Sequence, residues 1–91
     1  MKYLYPAVFE KEGSKYCIYS PDIAGCNTFG ENLQNAFEMA EDALCLMLYD
    51  MEENGKQIPS PSDIKKLRYE GNGFVSLISC DTDEYGDRIS F

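Results

Sequence analysis

The sequence predicts a small α+β domain in which one long helix packs on a sheet, with elements in the order β-β-β-α-β. Two observations carry this. Four short segments rich in aromatic and β-branched residues are set between turn residues. Between the third and fourth lies a stretch of more than five turns whose apolar residues recur at three- and four-residue steps. The chain has 91 residues, enough for one domain spanning 1–91.

Tyr3 to Phe9 reads as the first strand, and Pro6, lacking an N–H, is expected at an edge or a bulge. Glu10 to Lys15, with Gly13, suits a hairpin loop, and Tyr16 to Ser20 the second strand. Pro21-Asp22 opens a turn that Gly25 closes, and Cys26 to Phe29 follows as a short third strand. The helix is expected from Asn32, a good N-cap, to Asn54, with Gly55 as the residue that ends it. Leu33, Ala36, Phe37, Ala40, Leu44, Met47, Leu48 and Met51 form its apolar stripe, the face that meets the sheet. Ile58 to Ser62, with Pro59 and Pro61, is an extended linker, and a short helical turn follows from Ser62 or Asp63 toward Leu67. Gly73 to Cys80 is the last strand. The ordered core is expected over about residues 2–80, with Asp81 to Phe91 a polar, acidic tail.

Short loops make the first three strands an antiparallel meander. A right-handed crossover through the helix then brings the fourth strand, parallel, beside the first. The expected sheet is thus mixed and mainly antiparallel, with the helix on one face. The other face carries Tyr and Phe side chains with no second helix to cover them, so a homodimer or higher homo-oligomer is expected.

The charge is lopsided. Eight Lys and Arg face sixteen Asp and Glu, a net charge of −8, and between Tyr16 and Gly55 there is no base at all. Such a surface repels phosphate backbones and anionic lipid, which argues against nucleic-acid or membrane binding by this chain. It is either a solvated face that aids solubility or a footprint for a basic partner. Cys17, Cys26, Cys45 and Cys80 show no metal-ligand spacing, and there is no His to complete a zinc site or to activate a thiol. With no leader-like start and no bilayer-length apolar run, the expectation is a cytoplasmic protein with reduced thiols. Asp81 to Asp87 resembles the start of a calcium loop, but Tyr85 and the missing twelfth position argue for a polar tail turning at Gly86. No metal, cofactor or catalytic residue is expected.

Several motifs in order resemble the HicB family of bacterial antitoxins. They are Tyr5-Pro6, the run Ser20-Pro21-Asp22-Ile23-Ala24-Gly25-Cys26 with Gly30 after it, and the helix start Asn32-Leu33-Gln34-Asn35-Ala36. The linker Ile58 to Ser62 and the strand Val75 to Ile78 with Asp81 complete the set. Ser20 and Ala24 replace the family's commoner aromatic residue and Pro. The resemblance implies a pared-down ribonuclease H-like fold and an antitoxin that binds and neutralises a small, basic, mRNA-cleaving HicA-like toxin. Many members continue into a DNA-binding module; this chain stops at Phe91, so it is either a short HicB-like protein or a fragment, and in both cases operator binding by this chain is not expected. A degenerate metal-dependent nuclease is disfavoured, since the helix acids lie on the solvated face and no His is present. The different-class alternative is a stand-alone ligand- or protein-binding module. The expected toxin contacts are Asp22, Glu31, Glu38, Glu41 and Asp42, with Pro21, Gly25, Gly30 and Pro59 as structural positions.

Overall fold

The structure is a computed structural model that describes residues 1–89. Its elements are β1 (Lys2–Glu12), β2 (Lys15–Tyr19), β3 (Asn27–Gly30), α1 (Leu33–Glu53), β4 (Gly73–Asp81) and α2 (Thr82–Ile89), with a 3-10 turn at Ile64–Lys66. The strands form one sheet in the order β3-β2-β1-β4. The hairpin is tighter than expected. Only Gly13 and Ser14 separate β1 from β2, and Gly13 takes the positive φ that a two-residue hairpin needs.

The fourth strand overturns the mixed-sheet expectation. β4 lies beside β1 but runs antiparallel to it, with Tyr5 opposite Ile78 and Phe9 opposite Phe74. All three pairings are therefore antiparallel. The reason lies in the linker. β3 ends and β4 begins at the same end of the sheet, since Gly30 pairs with Tyr16 and Gly73 with Glu10. α1 carries the chain away from that end by roughly 30 Å. The stretch from 54 to 72 is long enough to carry it all the way back before β4 starts.

The linker does a second job: it crosses to the sheet face opposite α1. It starts on the helix side, where Tyr5 Oη donates to the Pro59 carbonyl, and ends on the opposite face, where Tyr69 Oη donates to the Glu10 carboxylate. Glu10 also accepts from Asn72 N–H at 2.8 Å, and Lys11 N–H donates to the Asn72 carbonyl at 2.7 Å. Pro6 and Val8, which point to this face, are buried, whereas Leu4, Tyr19, Phe29 and Leu77 are left exposed.

Pro6 is not on an edge strand, because β1 has neighbours on both sides. The β1–β2 ladder ends at Val8–Tyr19, however, and the Pro6 carbonyl accepts instead from Ser20 Oγ. In a strand, a residue's N–H and C=O point the same way. The donor that proline lacks thus falls where the ladder has already stopped, and no sheet hydrogen bond is lost.

On the other face, α1 packs through Ala36, Ala40, Leu44 and Leu48 onto Tyr5, Ala7, Phe9, Ile18 and Ile78. Phe9 stacks on Phe74 at 4.8 Å and packs against Phe37 at 4.5 Å. Burying a side chain such as Phe9 or Leu48 contributes about 1.5–3 kcal/mol. Met47 and Met51 pack against this core, while Leu33, expected in the stripe, is exposed. The helix ends are as the sequence predicts. Asn32 accepts from Asn35 N–H at 2.8 Å. At the other end Lys56 N–H bonds to Met51 O and Gly55 N–H to Glu52 O, with Gly55 at φ 64°.

Two further expectations fail. Cys45 and Cys80 are not separate thiols: a disulfide joins the middle of α1 to the end of β4, with Cα atoms 5.4 Å apart. Only Cys17 and Cys26 are free. The tail is not irregular either, since Thr82–Ile89 is a helix. Asp81 caps it, accepting from Asp83 N–H at 3.1 Å, and Gly86 lies inside it rather than at a turn.

Candidate partner-binding surface

α1 carries six acids, Glu38, Glu41, Asp42, Asp50, Glu52 and Glu53, and neither Lys nor Arg. Its inner face is spent on the core, so most of this charge faces outward. Glu38, Glu41 and Asp42 are brought together: with Asn35, Met39 and Arg88 they line an open groove of about 320 Å³. Glu41 also borders a second groove of about 470 Å³, floored by Cys45 and Cys80 and walled by Lys2, Glu84 and Arg88.

Asp22 and Glu31 do not join this cluster. Glu31 precedes α1, where its backbone N–H donates to Asn35 Oδ1 at 3.0 Å. Asp22 lies at the other end of the helix, beside Asp50, Met51 and Pro59. Its carboxylate accepts from both the backbone N–H and the hydroxyl of Ser62, so it holds the linker to the β2–β3 turn.

The structural positions have direct causes. Gly25 takes φ 82° in the turn after Pro21 and Asp22. Gly30 lets α1 approach β3: a Cβ there would lie 2.4 Å from Ala36 Cα, inside any contact real atoms allow. Pro59 supplies the acceptor for the buried Tyr5.

Arg88 was missed in the sequence, because α2 was. Its guanidinium sits 5.5 Å from the Tyr85 ring centre, and Tyr85 packs on Tyr49 of α1. A Cβ on Gly86 would come within 3.0 Å of the Tyr49 ring, so the two helices lie close. The available signal was Asp81 followed three residues later by Glu84, an N-cap pattern.

The titratable groups point to structure rather than chemistry. Burial pushes the Cys26 thiol up, and burial with the Glu12 carboxylate does the same at Cys17, so both are held as thiols. The Tyr3 phenol, which donates to Glu52 of α1, is pushed up to about 12 by that bond. Among the described residues, no three His, Cys, Asp or Glu side chains converge to hold a metal, and no helix is long and apolar enough to cross a membrane. The void between helix and sheet is about 10 Å³, which leaves no interior room for a ligand.

A closed core, an acidic helix face and open surface grooves define a small acidic domain of the α+β class. The chain belongs to the HicB-like antitoxin family of bacterial toxin–antitoxin systems, which matches over residues 5–89. It is 34% identical over 73 residues to antitoxin HicB 2 of Photorhabdus laumondii, covering 80% of this chain and 48% of that protein. It is 30% identical over 63 residues to an uncharacterized 14.9 kDa protein of Haemophilus phage HP1, covering 69% of this chain and 47% of the relative. The chain thus spans about half the length of these relatives. Among solved structures, it superposes on a chain of a toxin–antitoxin complex from Streptococcus pneumoniae with a TM-score of 0.84 and 26% identity. That match covers 93% of this chain and 73% of the other. The N-terminal domain of Burkholderia pseudomallei antitoxin HicB matches with a TM-score of 0.72 and 25% identity, over 87% of this chain and 99% of that one.

Proposed function

We propose that this chain is the toxin-binding part of an antitoxin that acts in the cytoplasm. It neutralises a small, basic, mRNA-cleaving HicA-like toxin by binding it, with no catalysis and no nucleic-acid contact of its own. The observation that carries this reading is the outward charge of α1, six acids in 21 residues with no Lys or Arg in the helix itself and Arg88 of α2 at the border of the acidic groove. Glu38, Glu41 and Asp42 form the centre of the contact surface, and Glu31 and Asp22 extend it toward the two ends of the helix. The family match and the S. pneumoniae toxin–antitoxin complex support the partner class. The field of this face speeds encounter with a cation-rich protein, over a range salt shortens to about 8 Å at physiological ionic strength. The chain itself assembles as a homo-oligomer through surface that the linker leaves open.

The test is stopped-flow association with a basic HicA-like toxin at several salt concentrations, using wild type and the Glu38→Lys/Glu41→Lys double variant. The expected result is slower association and a flatter salt dependence in the variant, with unchanged helix content. The loss is about 1 kcal/mol or less per exposed charge. Tight binding indifferent to both salt and these reversals would refute the assignment of the surface. Failure of the wild type to bind or neutralise any such toxin would refute the function.

A further inference from the structure

The outer edge of β4 is an open pairing site. β4 pairs with β1 on one side and with no strand on the other. Which of its backbone groups face outward follows from Pro6. The Pro6 carbonyl points toward β2, so Pro6 and its partner Leu77 form a pair with no mutual hydrogen bonds. The N–H and C=O of Leu77 therefore point away from β1, and those of Val75 and Ser79 do the same by alternation. Among the described residues, none of these groups has a backbone partner.

Exposed edges are normally blunted by a charge, a proline or a bulge. β4 has none of these along Gly-Phe-Val-Ser-Leu-Ile-Ser-Cys, and its only charge is at its last residue, Asp81. Leu77, at the centre of the strand, is 41% exposed, and Leu4, on β1 beside it, is 50% exposed on the same face.

We propose that β4 pairs with β4 of a second copy, antiparallel about a two-fold axis through Leu77, to make one continuous eight-stranded sheet. This rests on the homo-oligomer part of the reading above and is independent of the toxin. The strand suits itself as a partner. Around that axis Leu77 faces Leu77 of the second copy and Val75 faces Ser79, all with outward N–H and C=O groups, giving about six new backbone hydrogen bonds. The two copies of Leu77 and Leu4 then form one apolar patch across the junction, a mutually covering, isologous contact. Charge favours a second copy over the basic partner at this edge: the strand is uncharged from Gly73 to Cys80, whereas the acidic field lies on α1.

The experiment is light scattering at tens of micromolar on wild type, Leu77→Pro and Leu77→Lys, with amide hydrogen exchange on the wild type. Leu77→Pro removes an N–H that the single chain does not use, and Leu77→Lys sets like charges opposite each other at the axis. Wild type is expected at twice the 10.3 kDa chain mass. The Val75, Leu77 and Ser79 amides should then be protected, and either variant should raise the dissociation constant at least tenfold. Circular dichroism identifies any variant that has failed to fold, and the Lys variant then decides. A wild type found only as monomer overturns both the dimer and its mode. A dimer that survives both substitutions, with those three amides exchanging freely, overturns the β4 pairing alone.

Discussion

Cys45, in the middle of α1, and Cys80, at the end of β4, are joined by a disulfide although 35 residues separate them in the chain. The bridge ties helix to sheet at the point where α2 leaves β4. Closing a loop of that length restricts the unfolded chain, and reduction is expected to cost about 2–4 kcal/mol. Urea unfolding with and without a dithiol reductant measures this, and Cys45→Ser/Cys80→Ser should match the reduced protein. Identical midpoints in all three would show that the bridge adds no stability.

Gly30 is expected to tolerate no side chain. Gly30→Ala places a methyl group against the Ala36 backbone, so α1 must lift from β3. A loss of about 1–3 kcal/mol follows from overpacking of this kind. Thermal denaturation tests it, with Gly55→Ala as a contrast, since that position has open space and only its positive φ to object.

Asp22→Ala is expected to act on the linker as well as on the partner surface. The change removes the acceptor of both Ser62 hydrogen bonds and costs about 1 kcal/mol. Amide exchange near Ser62 should rise while exchange in α1 stays unchanged. Were Asp22 purely a partner contact, exchange in the free protein would not move.

The amino terminus gives a pH prediction. The Met1 ammonium donates to Asp83 at 2.7 Å, which raises it above its ordinary value of 8.0. A group raised in the folded state stabilises fully below its unfolded value and loses that contribution as pH climbs through the folded one. The attachment of Met1 to the start of α2 should thus hold at neutral pH and weaken above pH 8.0. Exchange of α2 amides, corrected for the intrinsic rate, should rise in that window for wild type and stay flat for Asp83→Asn.

The sequence by itself determined what local patterns encode. The 3.6-residue stripe from Ala36 to Met51, the Asn32 cap and the Gly55 stop define α1, because each acts within a few residues of itself. The lack of any base between Tyr16 and Gly55 likewise made the helix face acidic wherever the helix came to lie. Tertiary structure decided what depends on distant partners. β4 runs antiparallel because the linker returns along the whole molecule, a path that strand patterns do not record. Cys45 meets Cys80 only because α1 lies over the end of β4. Asp22 became a clasp for Ser62 rather than a member of the helix cluster for the same reason. α2 has few apolar residues of its own, and Tyr85 gains its burial only against Tyr49, so packing on α1 supplies what its local sequence lacks.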